Sequence, residues 1–335
     1  MTADRVAAIL AQAASKRVLV IGDLMLDEFV WGKVGRISPE APVPVVEVTG
    51  ESFYPGGAAN VARNLRDFVA ATSVVGLIGE DRGGRQLCDL LEECQIGTDS
   101  LIREKHFPTI VKTRIIARQQ QVVRVDREQI RPPSSAQIAQ VIERIRAELE
   151  RIDAVIFEDY GKGFLSAELI GKAAQLAAEA GKVVTADPNP HHVVDWRNMT
   201  AVKPNRNEAF IAAGLPARDL REPVETDPNL RELGRKLLEK WDTRYLLITL
   251  GEQGMMLFDR QDSAHHIPTR ARQVFDVSGA GDTAIALFTL ALCCDATARE
   301  AAEIANRASA VVVGKLGTAT VTREELLASF DDSGD

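Results

Sequence analysis

The chain of 335 residues contains only four cysteines, and their spacing excludes the common cysteine-based sites. Cys88, Cys94, Cys293 and Cys294 form no C-x-x-C pair, and none stands at the spacing of a zinc site. Cysteines of this kind are typical of reduced thiols in the cytoplasm. The sequence therefore predicts a cytoplasmic protein without a disulfide framework.

The sequence also lacks an excess of positive charge and a long apolar run. The formal net charge is -8, so the chain as a whole has no attraction to nucleic acid or anionic membranes. Any phosphate group must be held by a local cluster of donors. The longest apolar helical stretch, residues 284–294, is too short to span a bilayer. The N-terminus has no clear basic n-region, which favours a short amphipathic helix over a signal peptide. We expect neither a nucleic-acid nor a membrane partner.

Apolar runs rich in β-branched residues alternate with helical patterns along most of the chain. The predicted strands are 17–21, 73–78, 154–159, 182–187, 201–202, 244–250 and 255–258. The predicted helices are 165–180, 207–213, 282–294 and 298–314. This alternation is typical of an α/β fold with a mostly parallel central sheet and helices on both faces. We expect one domain over residues 1–330 and a disordered tail at 331–335.

Two stretches break this alternation and predict a small β-sheet outside the main one. Residues 42–48 (PVPVVEV) are rich in β-formers and bounded by proline, and residues 109–126 alternate with a period of two. The polar, basic face of the second stretch is predicted to carry Lys112, Arg114, Arg118 and Gln120.

The strongest chemical signal is the segment Asp276-Val-Ser-Gly-Ala-Gly-Asp-Thr283, which leads into an apolar helix. Gly279 and Gly281 allow backbone angles that let successive N–H groups point at one anion, beside the positive end of the helix. At the start of that helix, the ionised carboxylate of Asp282 is favoured, as a general base requires. The segment fits phosphoryl transfer to an alcohol, although an Asp N-cap after a glycine turn has the same residues.

Three further motifs each have a binding interpretation and a purely local one. The segment 55–60 (PGGAAN) lets a ligand approach the backbone and offers an amide to sugar hydroxyls, or it is a tight turn with an Asn cap. Asn205 and Glu208 suit a hydrated Mg²⁺, or they form a helix capping box. The segment 248–254 (ITLGEQG) places a glycine turn at the carboxyl end of a strand, where ligands bind in α/β sheets, or it is a hairpin.

The order of these motifs resembles the ribokinase (PfkB-type) family of carbohydrate kinases over nearly the whole chain. That family has a GG…N signature, a later N-x-x-E element and a D-x-x-GAGD signature. In this sequence they stand at Gly56-Gly57…Asn60, Asn205…Glu208 and Asp276…Asp282. The resemblance implies a ribokinase-like fold with a small β-sheet lid and an ATP-dependent sugar kinase that uses Mg²⁺.

The resemblance also implies a role for each matching residue. Asp282 is the base that takes the proton from the sugar hydroxyl, and Gly279, Ala280 and Gly281 form the anion hole for the phosphoryl group. The residues implied at ATP and water-bound Mg²⁺ are Asn205, Glu208, Thr249, Gly251 and Asn306. Those implied at the sugar hydroxyls are Asp27, Gly56, Gly57, Asn60 and Asp187. Asp276 and Ser278 resemble the loop of members that bind a monovalent cation, which implies K⁺.

A narrower resemblance within the family is to the heptose-phosphate kinases. Its most specific segment is 36–45 (RISPEAPVPV), and segments 22–27, 118–126, 159–163 and 314–320 also match. It implies phosphorylation of D-glycero-β-D-manno-heptose 7-phosphate at O1, in ADP-heptose synthesis for the lipopolysaccharide core. The segment 187–190 (DPNP) departs from this pattern, so ribose, fructose and fructose 6-phosphate stay open as substrates. A catalytically silent sugar or nucleotide sensor is a further alternative, against which the intact GAGD turn argues.

Kinases of this kind are often fused to an adenylyltransferase with an H-x-G-H motif. The five histidines of this chain cannot form that spacing, so we expect a stand-alone kinase.

A second phosphate on the substrate would need its own cluster of donors. Lys112, Arg114 and Arg118 are the best cluster for a dianion, although a solvated strand face has the same residues. We expect the small sheet to act as a lid that excludes water. Because such lids often pair across a dimer in this family, and because the 42–48 edge is apolar, we also expect a homodimer through the lid strands.

Overall fold

The computed structural model describes residues 1–118, 120–192, 194–219, 223–261, 263–270, 274–315 and 317–331, in which strands and helices alternate. In these ranges the strands are β1 (Arg17–Gly22), β2 (Leu24–Ile37), β3 (Pro44–Gly57), β4 (Ala71–Val75), β5 (Leu77–Gly79), β6 (Ile102–Glu104), β7 (Ile110–Ala117), β8 (Gln120–Arg127), β9 (Ala154–Glu158), β10 (Val183–Asp187), β11 (Ala201–Val202), β12 (Tyr245–Thr249), β13 (Met255–Asp259) and β14 (Ala264–Ile267). The helices are α1 (Ala3–Ala13), α2 (Ala58–Leu65), α3 (Arg82–Glu93), α4 (Ser135–Glu148), α5 (Ala167–Glu179), α6 (Arg206–Ala213), α7 (Pro228–Trp241), α8 (Ala280–Leu292), α9 (Ala298–Val313) and α10 (Arg323–Asp331), with 3₁₀ turns at Val224–Thr226 and Gly251–Gln253.

The main sheet has the strand order β14-β13-β12-β11-β10-β9-β1-β4. Neighbouring strands from β4 to β12 are parallel, and β13 and β14 are antiparallel at one edge. The mostly parallel sheet predicted from the sequence is confirmed. Because the carboxyl ends of parallel strands meet at one edge, the residues that follow β1, β9, β10, β11 and β12 share one rim.

Side chains of the central strands alternate between two apolar cores. In β1, Val18 and Val20 belong to the core that includes α1, α2, α8 and α9. Leu19 and Ile21 point the other way, into the core with α4, α5 and α7. All four side chains are fully buried, so helices cover both faces of the sheet as predicted. No helix in the described ranges is long and apolar enough to cross a membrane.

A second sheet, called the outlying sheet below, has the order β3-β2-β7-β8. It includes both stretches that the sequence places outside the main sheet. Within the second stretch, β7 and β8 pair in antiparallel fashion, and Ala117 is the register partner of Gln120. Arg118 lies in the turn with φ +48°. The prediction that Arg118 and Gln120 share one strand face with Lys112 and Arg114 is therefore wrong, since the chain reverses direction after Ala117.

The longest strands of the outlying sheet include β2, which the sequence patterns did not predict. In residues 24–37 the apolar residues are interrupted by glycines and charged residues, and these two kinds of residue have low β propensity. Pairing with β3 on one side and β7 on the other overrides that propensity.

Two smaller predictions also need correction. The predicted strand at 73–78 divides at Gly76, where a Cβ would lie 2.5 Å from Cδ1 of Leu24, and its second part pairs with β6. Asp331, placed in a disordered tail, ends α10 instead. The rest of that tail, 332–335, lies outside the described residues.

Gly32 and Gly35 in β2 form a matched pair for testing the outlying sheet. A Cβ at Gly32 would lie 2.5 Å from Cγ1 of Val46 and 2.7 Å from the carbonyl oxygen of Glu47, whereas one at Gly35 would meet nothing within 4 Å. Gly32→Ala should lower the free energy of local opening by about 1–3 kcal/mol, as overpacked sites do. Hydrogen exchange at the amides of β2 and β3 measures this. Equal exchange rates in Gly32→Ala and the control Gly35→Ala would contradict the expected clash.

Candidate active site

Polar residues at the rim of the main sheet surround a cleft of about 740 Å³. The strand ends contribute side chains that the fold brings together from distant parts of the sequence. The lining residues include Glu158, Tyr160, Asp187, Lys203, Asn205, Glu208, Thr249, Gly251, Gly279, Gly281 and Asp282. A groove of about 860 Å³ at the opposite end of the sheet, beside Lys182 and Arg244, contains none of the predicted site residues. The cleft at the rim is therefore the candidate active site.

Asp282 lies in the first turn of α8, where its carboxylate is 5% exposed. One oxygen, Oδ2, accepts a hydrogen bond from Nδ2 of Asn60 at 2.6 Å, and Oδ1 accepts one from the hydroxyl of Tyr160 at 2.8 Å. Burial raises the pKa of Asp282 to about 6, and the hydrogen bonds from Asn60 and Tyr160 oppose that rise. The carboxylate is therefore ionised at neutral pH and still basic enough to accept a proton from an alcohol.

A glycine turn precedes Asp282 and opens α8 toward the cleft. Gly279 is the N-cap with φ +79°, a conformation that favours glycine, and it lines the cleft together with Gly281. The amides of the first helical turn have no carbonyl partner within the helix, which suits an anion. The amide of Ala280 donates to the carbonyl of Val277 at 3.3 Å. The anion-hole role of these three residues stays a prediction.

A buried lysine lies beneath this turn among several carboxylates. The ammonium of Lys203 is 2.7 Å from Oδ2 of Asp187, and a Cβ at Gly281 would lie 3.6 Å from the Lys203 Nζ. Burial would lower the pKa of Lys203, but the charges of Asp187 and Glu158 raise it. Burial and the charges of Asp187 and Asp282 raise the pKa of Glu158 well above its usual value. The described cleft residues thus gather several carboxyl groups around one buried cation.

Asn205 and Glu208 form the capping box that the sequence left open as one interpretation. Oδ1 of Asn205 accepts from the Glu208 amide at 3.0 Å, and Oε2 of Glu208 accepts from the Asn205 amide at 2.7 Å. Both residues also line the cleft. Burial and the charge of Asp187 raise the pKa of Glu208 to about 7, which a nearby cation would reverse. Among the described residues no group of three or more His, Cys, Asp or Glu is arranged to hold a metal. This donor set fits Mg²⁺ that keeps its waters and its nucleotide phosphates.

The residues predicted at the nucleotide divide into two groups. Thr249 ends β12, Gly251 opens the following 3₁₀ turn with φ +62°, and both line the cleft. Asn306 is buried in α9, and its side-chain amide donates to the carbonyl of Pro268 at 2.8 Å. Thr249 and Gly251 are therefore placed to meet a ligand in the cleft, and the role of Asn306 stays a prediction.

Most residues predicted at the sugar lie where the outlying sheet joins the main fold. The buried carboxylate of Asp27 forms an ion pair with Arg114 and packs against Gly56. Gly57 has φ +59° and packs against the carbonyl of Asp23, so these glycines allow the chain to approach itself. Asp187 alone of the predicted sugar residues lines the cleft directly. Their contact with a sugar stays a prediction.

The predicted monovalent-cation loop is tied to the segment after α9. Oδ1 of Asp276 accepts from the amide of Ser278 at 2.9 Å, and Oδ2 accepts from the amide of Gly317 at 3.2 Å. The neighbouring Thr318 has a buried hydroxyl that meets no hydrogen-bond partner among the described residues. An oxygen of this kind fits a weakly bound cation such as K⁺.

The sequence motifs predict no role for Tyr160, Lys203 or Glu158. Each stands at or just after the carboxyl end of a strand of the main sheet, β9 or β11. A polar residue at that position is a recognisable signal, because ligands in α/β sheets bind beyond these strand ends. The sequence does not show which side chain each of them contacts.

Comparison with known proteins supports the class of enzyme that the fold and the cleft suggest. The family model described as "pfkB family carbohydrate kinase" matches residues 15–325. A structure of Arabidopsis thaliana ribokinase with ribose and ATP has a TM-score of 0.69 at 18% identity and covers 94% of this chain and 99% of that chain. Escherichia coli phosphofructokinase-2 in complex with potassium has a TM-score of 0.75 at 18% identity, over 95% and 99%. The chain belongs to the pfkB family, and it is an ATP-dependent carbohydrate kinase with a ribokinase-like fold.

Two relatives with higher sequence identity to this chain than these solved structures share a single protein name. The "Bifunctional protein HldE" of Desulfatibacillum aliphaticivorans is 40% identical over 95% of this chain, and that of Citrifermentans bemidjiense is 42% identical over 95%. The chain spans 64% of the length of each of these two relatives. It is therefore similar to one part of a longer bifunctional protein.

Proposed function

We propose that the protein transfers the γ-phosphoryl group of ATP to O1 of D-glycero-β-D-manno-heptose 7-phosphate. The product would be the 1,7-bisphosphate, in ADP-heptose synthesis for the lipopolysaccharide core. The observation that carries the kinase chemistry is the Asp282 carboxylate, held at the start of α8 in a cleft with the N-x-x-E pair. Support for the sugar comes from the RISPEAPVPV segment and from the similarity to proteins named HldE.

Asp282 acts in this mechanism as the general base. Its carboxylate takes the proton from the sugar hydroxyl as the oxygen attacks the γ-phosphorus. The new bond to O1 forms while the bond from phosphorus to the β–γ bridging oxygen breaks and ADP leaves. Because the pKa of Asp282 is about 6, turnover should fall as the pH falls through that value and the base becomes protonated.

The surrounding residues stabilise the charge of the transferring group. The amides of Gly279, Ala280 and Gly281 would hold the phosphoryl oxygens, that of Ala280 in exchange for the carbonyl of Val277, and Lys203 adds positive charge beneath them. Asn205 and Glu208 would hold Mg²⁺ through water, and the ion supplies charge neutralisation for the ATP phosphates. K⁺ at the Asp276 and Ser278 loop would support the same turn.

Transfer of phosphate to a panel of sugars tests the proposed substrate. With ATP, Mg²⁺ and heptose 7-phosphate, ³¹P NMR should show a new phosphate on O1 and one ADP for each. Ribose, fructose and fructose 6-phosphate should give much lower kcat/KM, because they do not fill the same site. Preference for one of these sugars would overturn the heptose assignment, and binding without turnover of any sugar would favour the sensor alternative.

Asp282→Asn is the control for the chemical step in the same assay. The substitution keeps the shape of the side chain and removes the base, so kcat should fall by about 10²–10⁴-fold. Its thermal unfolding should match the wild type or exceed it, since a buried charge is removed. Full turnover in Asp282→Asn would refute the role of this residue.

We further propose that the 7-phosphate is held at the outlying sheet. Lys112 is the register partner of Asp27 on β2, lies 3.8 Å from a carboxylate oxygen of Asp126, and is largely buried. Burial and the nearby charge of Lys162 lower the pKa of Lys112, so an added anion would be stabilised there. Arg114 is already paired with Asp27, and Arg118 would reach the phosphate from the hairpin turn. Lys112 is the residue of this cluster best placed to bind it, as the sheet closes like a lid.

Lys112→Met tests this phosphate site. It should raise KM for heptose 7-phosphate by about 10–100-fold, since it removes a charge-assisted hydrogen bond, and leave KM for ATP unchanged. Lys33→Met is the control, because Lys33 lies exposed on β2 of the same sheet. A change confined to KM for ATP would contradict the assignment.

A homodimer through the outlying sheet is also proposed. Val123 and Val125 on β8 are 45% and 53% exposed, which is unusual for neighbouring apolar residues on a strand. Burial of these valines against a second copy would remove them from water.

Sedimentation velocity at micromolar concentration should show a dimer for the wild type. Val125→Lys should shift the protein toward the monomer, because it places a charge in the interface. Ile211→Lys is the control, since Ile211 is 48% exposed on α6, which belongs to the main fold. A monomeric wild type would refute the proposal.

A further inference from the structure

The segment that follows β9, residues 159–164, is held in a fixed shape by two carboxylates. Asp23 accepts hydrogen bonds from the amides of Tyr160, Lys162 and Phe164 at 3.0, 2.9 and 3.1 Å. Asp159 accepts from the amide of Gly161 at 2.8 Å and forms a hydrogen bond with Nδ1 of His192 at 2.8 Å. The segment is therefore anchored at both β1 and β9, and its side chains have defined positions.

Tyr160 is the side chain that this segment delivers to the base. Its hydroxyl donates to Oδ1 of Asp282 at 2.8 Å, while Asn60 donates to Oδ2 at 2.6 Å. Burial and the charge of Asp282 raise the pKa of Tyr160 well above its usual value. The hydroxyl stays protonated at neutral pH and can only serve Asp282 as a donor.

We propose that Tyr160 is a positioning residue for the kinase reaction, whose hydroxyl fixes the orientation of the Asp282 carboxylate and stabilises its ionised form. The inference rests on the proposed role of Asp282 as the base. Two donors on opposite oxygens fix the rotation of the carboxylate plane. Each oxygen keeps a second lone pair, and one of these is available for the proton of the sugar hydroxyl.

The charges around Asp282 explain why this donor matters. Asp187 at the end of β10 adds negative charge, and Lys203 after β11 adds positive charge. Glu158 at the end of β9 also lies near, and the charge of Asp282 helps to raise its pKa well above the usual value. Burial and Asp187 favour the protonated carboxyl, while Asn60, Tyr160 and Lys203 favour the carboxylate. Loss of the Tyr160 hydroxyl therefore raises the pKa of Asp282 above about 6, toward neutral pH.

Tyr160→Phe tests the inference because it keeps the ring and removes only the hydroxyl. The acid limb of the kcat profile should move upward by about one pH unit. The ionised fraction of Asp282 then falls to about half at pH 7, so kcat should fall about twofold at pH 7 and about fivefold at pH 6. KM for ATP should stay within about twofold, because no nucleotide contact is removed. Tyr245→Phe is the control, since the ring of Tyr245 lies on β12 beside Arg244, 5.0 Å from its guanidinium carbon.

A second readout does not depend on turnover. In protein with ¹³C-labelled aspartate carboxyls, the Asp282 resonance, assigned with Asp282→Asn, should titrate at higher pH in Tyr160→Phe than in the wild type. If no sugar is phosphorylated by the wild type, the proposed function fails, and this titration still tests the contact between Tyr160 and Asp282. Replacement of tyrosine by 3-fluorotyrosine, a stronger hydrogen-bond donor, should move the Asp282 titration downward and covers the case in which Tyr160→Phe does not fold.

Two results would overturn the inference. The first is a Tyr160→Phe protein whose acid limb and Asp282 titration both equal those of the wild type. The second is a lower kcat with an unshifted profile, because the hydroxyl would then not stabilise the ionised form of Asp282.

Discussion

The active cleft depends on a carboxylate that is buried and still kept ionised. Asp282 loses most of its contact with water at the start of α8, and a buried charge is costly unless other groups take over the role of the solvent. The amide of Asn60 and the hydroxyl of Tyr160 do so, one on each oxygen. These donors come from α2 and from the segment after β9, so the base brings together three distant parts of the chain.

The two sheets contribute different kinds of residue to this site. The parallel strands of the main sheet place Glu158, Asp187 and Lys203 at one rim. The charges of Asp187 and Lys203 act there on Asp282, and the charge of Asp282 raises the pKa of Glu158. The outlying sheet brings Asp27 and Arg114 into an ion pair beside the glycines that precede α2. The glycines at this junction are required chiefly because the protein's own backbone and carboxylates lie close together there.

Much of the fold and part of the site could be predicted from the sequence. The apolar runs around β1, β9 and β10 define the parallel sheet, since continuous burial leaves an unmistakable pattern. The glycine turn before Asp282 and the spacing of Asn205 and Glu208 are local features, and local features are visible in a sequence. Asn205 and Glu208 form the predicted capping box. Because both residues also line the cleft, their location is compatible with binding Mg²⁺ as well.

Long-range contacts account for what the sequence could not show. Tyr160 is 122 residues from Asp282, and its hydrogen-bonding capacity alone does not identify its partner. The strand β2 was missed because glycines and charged residues of low β propensity interrupt its apolar residues, and pairing on both sides determines its conformation. Arg118 was placed on a strand face because a period of two continues through a short hairpin turn without a visible break.

The raised pKa values in the cleft have a consequence for the stability of the whole protein. Asp23 and Asp282 have pKa values of about 6 against a usual 3.8, and Glu208 has about 7 against 4.5. Between roughly pH 4 and pH 7 these three groups bind more protons in the native protein than in the unfolded chain, so their contribution to the free energy of unfolding decreases as the pH rises. These three carboxyls therefore favour the native state of the ligand-free protein in mild acid, where the base is protonated, and favour it less at neutral pH. A cationic ligand in the cleft would stabilise the ionised carboxyls and restore the stability lost at neutral pH. Ligand binding and folding stability are therefore thermodynamically linked.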